Sequence, residues 1–96
     1  MINVKIRAFG VFKEIFGGKS LAIKFNDNVT VKSVVQRLIK SLPNKSKRFM
    51  ASSGLNDLWL NALILVNEKE ISVLNGLETT VSDGDDIVLL PISHGG

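Results

Sequence analysis

Hydrophobic and polar residues alternate at the start of the chain. The apolar side chains of this segment occupy every second position, at Ile2, Val4, Ile6 and Ala8. A period of two is typical of a strand with one buried face, and it predicts a strand over residues 2–9. Phe9 falls on the polar face of that strand, where it is the one aromatic side chain.

A glycine break and a short apolar segment follow this strand. Gly10 interrupts the alternation, and residues 11–16 predict a helical turn or wide loop that inserts Phe12 and Phe16 into the core. A second apolar run, at residues 21–25, predicts another strand. Two strands joined by a loop that contains glycine form a hairpin, so these two strands are expected to pair.

The period then changes to that of a helix. Polar residues occupy one side of this segment and apolar residues the other, which predicts one amphipathic helix with its apolar stripe under the sheet. Thr30 is a favourable N-cap, and Pro43 is expected to end the helix. The apolar stripe consists of Val31, Val34, Val35, Leu38, Ile39 and Leu42.

The second half of the chain begins with an irregular segment. Residues 44–60 are rich in Lys, Ser, Gly and Asn, and they predict a loop or an irregular short helix. The apolar run at residues 62–66 predicts a third strand, and residues 67–70 are expected to turn the chain back toward residues 71–73. A short segment is predicted at residues 79–81 after a break.

The last predicted strand, residues 86–92, is apolar at nearly every position and follows a strong turn signal at residues 82–85. A strand that is apolar on both faces normally lies at the centre of a sheet. One helix covers only one of the two faces, so alternate residues of this strand are expected to face away from it. The pattern leaves open which register does so: Ile87, Leu89 and Pro91, or Val88, Leu90 and Ile92.

An apolar patch on the uncovered face is a candidate partner surface, because exposed patches of this kind are typical of protein interfaces. Phe9, the aromatic residue on the polar face of the first strand, is expected to belong to it. The residues predicted for this partner-binding surface are Phe9, Val88, Leu90, Pro91 and Ile92.

Length and composition are those of one small globular domain. The chain has 96 residues, of which 45% are hydrophobic and 22% charged, and this length supports a single core. It contains no cysteine and one histidine, so neither a disulfide nor a metal site is expected. No apolar segment has the character of a signal peptide or the length of a membrane span, which predicts a cytoplasmic protein.

The net charge of +3 conceals a division between the two halves of the chain. Residues 1–48 contain eleven of the twelve Lys and Arg residues and two of the nine acids, whereas residues 49–96 contain the other seven acids. Charge pairing between the strands of a compact domain is the simplest explanation of this division.

The chain ends with Ser93-His94-Gly95-Gly96, directly after the last predicted strand. Glycine has no Cβ, so a Gly-Gly end passes through a channel too narrow for other residues, and four extended residues reach about 13 Å. We therefore predict a domain over residues 1–92 and a flexible tail over residues 93–96, in which Gly96 presents a reactive carboxylate. A flexible terminus without chemistry is the alternative for the same residues.

Five short segments carry a resemblance to a known family: Ile64-Leu65-Val66-Asn67, Asn75-Gly76-Leu77, Asp83-Gly84-Asp85, Leu90-Pro91-Ile92 and Gly95-Gly96. The order of elements resembles the β-grasp fold of ubiquitin, and the whole chain is more similar to the MoaD and ThiS sulfur carriers and to the ubiquitin-related modifier. The resemblance implies an α+β fold with a mixed sheet and one main helix on one face. Two features depart from MoaD, since Pro91-Ile92 replaces the usual Pro-Pro and His94-Gly95-Gly96 is closer to the ubiquitin-related modifier.

The resemblance implies a carrier and not an enzyme. In this family an adenylating enzyme of the ubiquitin-activating type uses ATP to convert the carboxylate of the last glycine, here Gly96, into an acyl-adenylate. Sulfur from a persulfide donor then displaces AMP and leaves a thiocarboxylate. Ser93, His94 and Gly95 are expected to occupy the active-site channel of the partner, and no cofactor is expected to be bound by the chain itself.

The resemblance leaves the acceptor open. A MoaD-type carrier, the function we expect, gives its sulfur to a molybdopterin precursor on the large subunit of molybdopterin synthase. A ubiquitin-related modifier instead serves a tRNA thiolase or is joined to lysines of target proteins. The alternative from another class is a β-grasp module that binds RNA or protein through its basic first half and needs no free carboxyl end, although direct nucleic-acid binding is not expected.

Overall fold

A computed structural model of the chain describes residues 1–16, 18, 20–41 and 62–92. The irregular segment predicted at residues 44–60 and the tail predicted at residues 93–96 lie outside the described residues. Two short 3₁₀ helices, Ile71–Val73 and Gly76–Glu78, lie within the segment 71–79. In chain order the helices and strands are β1 (Ile2–Ala8), α1 (Val11–Ile15), β2 (Leu21–Phe25), β3 (Val29–Thr30), α2 (Val31–Lys40), β4 (Ala62–Val66), β5 (Lys69–Glu70), β6 (Thr80–Val81) and β7 (Asp86–Pro91).

The main sheet is mixed, with the strand order β2-β1-β7-β4-β5. β1 and β2 form the predicted antiparallel hairpin. β7 runs parallel to β1 and antiparallel to β4, so the most apolar strand lies in the middle of the sheet, as its sequence predicted. The four strands predicted around residues 2–9, 21–25, 62–66 and 86–92 are confirmed, and the first and last of them end one residue early.

α2 packs against one face of this sheet through its predicted apolar stripe. Thr30 is the N-cap, and its Oγ1 accepts a hydrogen bond from the N–H of Ser33 at 3.2 Å. Burial of the stripe outweighs the modest helix propensity of its β-branched residues, which costs tenths of a kcal/mol each. The fully buried members are Val31, Val34 and Leu38, and Val35 and Ile39 are half-buried.

The end of α2 differs from the prediction. The helix ends at Lys40, before Leu42 and Pro43, which lie outside the described residues. Ser41 closes the last turn, because its hydroxyl donates to the carbonyl of Leu38 at 2.9 Å. The helix therefore ends before the proline that was expected to end it.

The core lies between α2 and the face of the sheet that α2 covers. α1 contributes Phe12, which is fully buried as predicted, and Phe16 packs against the same core at half burial. Among the described residues, Thr79 is the one buried polar residue. The fully buried side chains are Val4, Ile6, Phe12, Val31, Val34, Leu38, Val81, Ile87 and Leu89.

The turn from β4 to β5 is tighter than predicted, because two residues form it and residues 69–70, predicted as part of the turn, already belong to β5. Asn67 and Glu68 have φ angles of 50° and 73°, and positive φ at both residues of a two-residue loop is typical of a type I′ hairpin. The chain then forms only two residues of strand before Ile71–Val73 adopts a 3₁₀ helix. The Glu70 carboxylate caps this helix by accepting a hydrogen bond from the N–H of Ser72 at 2.6 Å.

A second, two-stranded sheet joins the start of α2 to the last third of the chain. β3 pairs with β6 in antiparallel register, Val29 opposite Val81 and Thr30 opposite Thr80. The segment at residues 79–81 was predicted, but its partner was not, because two residues are too few to show a period. The N–H of Val31 donates to the carbonyl of Thr79 at 2.9 Å and so fixes the start of α2.

Candidate functional site on the open face of the sheet

β7 presents its side chains to two different environments. Ile87 and Leu89 lie on the face covered by α2 and are fully buried. We call the opposite face of the main sheet the open face. On that face Val88 is buried, Leu90 is half-buried, and Ile92, just beyond the strand, is 38% exposed. Of the two registers that the sequence left open, the structure therefore selects Val88, Leu90 and Ile92 as the one that faces away from α2.

Phe9 extends the open face at the end of β1. Its N–H donates to the carbonyl of Leu89 at 3.0 Å, so the pairing of β1 with β7 continues one residue beyond the strand. The alternation of β1 places Phe9 on the same side as Arg7 and beside Leu90. The side chain is 42% exposed, which makes it available to a partner.

β4 adds two leucines that the sequence did not assign to this surface. Leu63 is opposite Leu90 and Leu65 is opposite Val88 in the antiparallel pairing of β4 with β7. The run at residues 62–66 is apolar throughout, so its period could not show which side chains face outward. The pairing register supplies that information. We define the open-face patch as Phe9, Leu63, Leu65, Val88, Leu90 and Ile92.

Pro91, predicted for the same surface, lies on the other side of β7. It is half-buried and pairs with Ala62 of β4. A Cβ added to Gly10 would lie 2.7 Å from Cγ of Pro91, so the proline ring is seated against the residue that precedes α1. This position separates Pro91 from the other four residues predicted for the partner surface.

Basic side chains border the open-face patch on the β1 side. Lys5 and Arg7 lie next to β7, in register with Asp86 and Val88, and Lys24 lies on β2 beyond them. The guanidinium of Arg7 donates from Nε to Oδ1 of Asp86 at 3.2 Å and from Nη2 to Oδ2 at 2.6 Å. This hydrogen bonding and the negative charge of Asp86 raise the pKa of Arg7 above its ordinary value, so Arg7 stays positive.

The pairing of Arg7 with Asp86 is the single ion pair within residues 1–16, 18, 20–41 and 62–92. It links the basic half of the chain to the acidic half, as the charge pattern predicted. This ion pair involves only one basic residue of the first half of the chain, however. Within the described residues, the exposed Lys5 and Lys24 form no ion pair. The open face is therefore apolar at its centre and basic along one border.

The start of β7 is clamped to the turn between β4 and β5. Asn67 donates from Nδ2 to Oδ1 of Asp85 at 2.9 Å, and its Oδ1 accepts from the N–H of Asp86 at 2.9 Å. Its own N–H donates to the carbonyl of Asp86 at 2.8 Å. Two of the segments that carry the family resemblance, residues 64–67 and residues 83–85, meet at these hydrogen bonds. Because these bonds fix the register of β7, they also fix where the chain leaves the sheet.

The predicted reactive end, Gly96, and its neighbours Ser93, His94 and Gly95 lie outside the described residues, so their roles stay predictions. In the described part of the chain, no group of three His, Asp or Glu side chains is arranged to hold a metal ion. None of the helices seen there has the length and apolar character that a membrane span requires.

Comparison with known proteins gives a consistent result. A family model described as the ThiS family matches residues 6–96. Small archaeal modifier protein 3 of Haloferax volcanii is 26% identical over 95 residues, which are 99% of this chain and 100% of that protein. The sulfur carrier protein CysO of Mycobacterium tuberculosis is 27% identical over 95 residues, again 99% of this chain and 100% of the relative.

A solved structure shares the fold over its whole length. The small archaeal modifier protein 1 from Methanosarcina acetivorans matches with a TM-score of 0.71 and 25% identity, over 100% of this chain and 98% of that one. The predicted α+β fold of the β-grasp, ubiquitin-like type is thereby confirmed. The relatives are small carrier and modifier proteins.

Proposed function

Because the chain belongs to the ThiS family, we propose that it is a sulfur carrier whose Gly96 carboxylate is adenylated and then converted to a thiocarboxylate. The observation that carries this proposal is the extent of the family match, which runs through residue 96 and includes Gly95-Gly96. The two relatives that match almost the whole chain are a modifier and a sulfur carrier by name. In this proposal the chain is the substrate of partner enzymes and not an enzyme.

The chemistry requires activation because a carboxylate is a poor electrophile. An oxygen of the Gly96 carboxylate attacks the α-phosphorus of ATP on an adenylating enzyme, and pyrophosphate leaves. A donor persulfide then attacks the acyl carbon and displaces AMP, and reduction of the resulting S–S bond by a thiol releases the thiocarboxylate. Every catalytic group belongs to the partners, so the chain has to supply only a docking surface and a thin tail.

The two parts of the chain divide these tasks in our proposal. The body, residues 1–92, docks on an adenylating enzyme of the ubiquitin-activating type through the open-face patch, whose apolar centre and polar border are typical of protein interfaces. The tail, residues 93–96, enters the partner's active-site channel. Ser93, His94 and Gly95 determine its reach, and the missing side chains of the two glycines permit close approach to ATP.

We propose a molybdopterin precursor, held by the large subunit of molybdopterin synthase, as the acceptor of the sulfur. The main alternative is attachment of the activated Gly96 to lysine side chains of target proteins, and the full-length match to a protein named as a modifier supports that alternative. Sulfur transfer to tRNA through a thiolase is the third acceptor that the same thiocarboxylate serves.

The decisive experiment places the chain with a cognate activating enzyme, ATP and a sulfur donor. Intact-mass measurement is expected to show first an adenylate and then the exchange of one carboxylate oxygen for sulfur. Deletion of Gly96 leaves Gly95 with a similar carboxylate that is about 3.5 Å short of the reaction centre. Since a misplacement of 1 Å can cost about a hundredfold in rate, the shortened chain is expected to fold and to remain unmodified.

Two matched controls accompany this deletion. A chain extended by one residue beyond Gly96 is expected to be inactive until it is trimmed. A C-terminal fusion is expected to abolish carrier function, whereas a module that binds RNA through its basic half would keep its binding. Full adenylation of the chain that lacks Gly96 would show that Gly96 is not the reactive residue. Supplying the thiocarboxylate separately to each of the three acceptors then identifies the pathway.

A further inference from the structure

The end of β7 rests against a glycine from another element. Gly10, the residue before α1, has φ 60° and ψ −135°, a conformation that residues with a Cβ adopt only with strain. A Cβ at this position would lie 2.7 Å from Cγ and 3.1 Å from Cδ of Pro91. The ring of Pro91 therefore fills the space that a side chain on residue 10 would need.

Pro91 has restricted freedom for two further reasons. Its ring fixes its own φ near −65°, and its backbone is in register with Ala62 of β4. Ile92 is the next residue, and the tail follows it. With φ fixed and one side paired to β4, the ring also rests against Gly10, and these three constraints together restrict where the chain leaves the sheet.

We propose that Gly10 is a positioning residue for the reaction at Gly96: the seat that it provides for Pro91 fixes the position of Ile92, the residue after which the predicted tail begins. This inference rests on the proposed function, because that position matters only if Gly96 reacts inside a partner's active site. Gly10 acts through Pro91 and contacts no reacting atom. It is therefore expected to affect the rate of the reaction at Gly96 even when the activating enzyme is saturating. Because Ile92 also belongs to the open-face patch, binding is measured separately.

The size of the effect follows from the geometry. Ordinary van der Waals contact begins at 3.4 Å, so a Cβ at 2.7 Å forces Pro91 or the start of α1 to move by about 0.7 Å. Ile92 moves with Pro91. Because a misplacement of 1 Å can cost about a hundredfold in rate, Gly10→Ala is expected to slow adenylation by about tenfold or more at saturating activating enzyme. Saturating enzyme removes from the measured rate any effect that the displaced Ile92 has on binding.

The chain offers a control for a side chain placed at positive φ. Gly76 has φ 59°, almost the same as Gly10, and a Cβ on Gly76 would meet nothing within 4 Å. Gly76→Ala therefore introduces a side chain at positive φ without a clash, and it is expected to react at the wild-type rate. Pro91→Ala removes the ring, so it is expected to slow the reaction by itself and to make a further Gly10→Ala change nearly silent.

The experiment measures single-turnover adenylate formation on the full-length wild type, Gly10→Ala, Gly76→Ala, Pro91→Ala and the double variant of residues 10 and 91. A wild-type rate for Gly10→Ala would overturn the inference. So would an equal loss from Gly10→Ala with and without the ring of Pro91, because the effect would then not pass through the ring. If Gly10→Ala alone does not fold, the other two variants decide. A wild-type rate for Pro91→Ala overturns the inference. A slow Pro91→Ala whose rate is unchanged by adding Gly10→Ala supports it.

A second readout separates this inference from the proposed function. If the wild-type chain forms no adenylate, the proposed function fails, and the seat is then tested on the free chain by NMR. Gly10→Ala is expected to shift the amide signal of Ile92, whereas Gly76→Ala is not. An unchanged Ile92 signal in Gly10→Ala would contradict the seat without bearing on the chemistry of Gly96.

Discussion

Leu89 and Leu90 are neighbours in β7, but they lie in different parts of the molecule. Leu89 is fully buried under α2, and Leu90 is half-exposed on the open face. The same contrast holds across the sheet, because the covered face of β1 carries Val4 and Ile6 whereas its open face carries Lys5 and Arg7. The covered face is completed by the chain's own helix. The open face has an apolar centre and no helix among the described residues.

This contrast shows how one strand can serve two purposes. A half-buried sheet normally has polar residues on its outer face, and β1 follows that rule. β7 and β4 do not, since Leu63, Leu65, Val88 and Leu90 lie side by side on the open face. Val88 is buried there, and the three leucines are half-buried. Our proposal is that a partner covers this surface during activation, and in that way the contrast between the faces bears on function.

The largest expected effect is on the covered face. Leu38→Ala in α2 and Leu89→Ala in β7 each remove a fully buried side chain, and each is expected to lower the free energy of unfolding by about 2–5 kcal/mol. Chemical denaturation with matched m-values measures this loss. Molecules that remain folded are expected to react normally at Gly96, because neither side chain belongs to the open face.

Leu90→Ala is the matched control in the same strand. It removes the same atoms from a half-exposed position, so it is expected to cost about 1 kcal/mol or less. If Leu90→Ala destabilised the chain as much as Leu89→Ala, the two faces would be equally important for folding, and the distinction between a core and a partner surface would be lost.

The next effect is on partner affinity and concerns the open face alone. Phe9→Ala and Leu90→Ala are each expected to weaken binding to the activating enzyme about tenfold, since truncated anchors at the centre of an interface commonly cost more than about 1 kcal/mol. Titration of the enzyme against labelled chain measures this affinity. Lys24→Ala, at the border of the patch, serves as the control and is expected to change affinity much less. A folded Phe9→Ala chain with unchanged adenylation efficiency would remove Phe9 from the interface.

Local patterns explain how much of this fold the sequence predicted. The alternation in residues 2–9 and the side-chain oxygen of Thr30 act within a few residues of where they stand, so β1 and the start of α2 were predicted correctly. Gly10 also broke the strand as expected. The continuous apolar run of β7 predicted its place at the centre of the sheet, because a strand that is apolar on both faces normally lies there.

The features that the sequence did not predict depend on distant residues. Which face of β7 is open depends on its pairing with β1 and β4, and both registers are equally apolar in sequence. The same pairing places Pro91 opposite Ala62 and away from the patch to which it had been assigned. β3 consists of two residues whose partner lies about fifty residues away in the chain, so no local signal could reveal it. The seat of Pro91 on Gly10 is likewise invisible without the fold.

The smallest expected effect concerns the one ion pair on the open face, between Arg7 and Asp86. Both side chains are partly exposed, at 43% and 28%, and water and salt screen such pairs, so the contribution of this pair to stability is expected to be small. Because Asp86 raises the pKa of Arg7 further above its ordinary value, the arginine keeps its charge at every pH used for handling the protein. A double-mutant cycle of Arg7→Met and Asp86→Asn isolates the interaction between the two side chains. Loss of this interaction is expected to lower the melting temperature by about 5 °C or less, and the loss is expected to shrink as salt is added. A large coupling that salt left unchanged would mean that the open face is held together as firmly as the covered one, and it would weaken the argument that its apolar centre is kept for a partner.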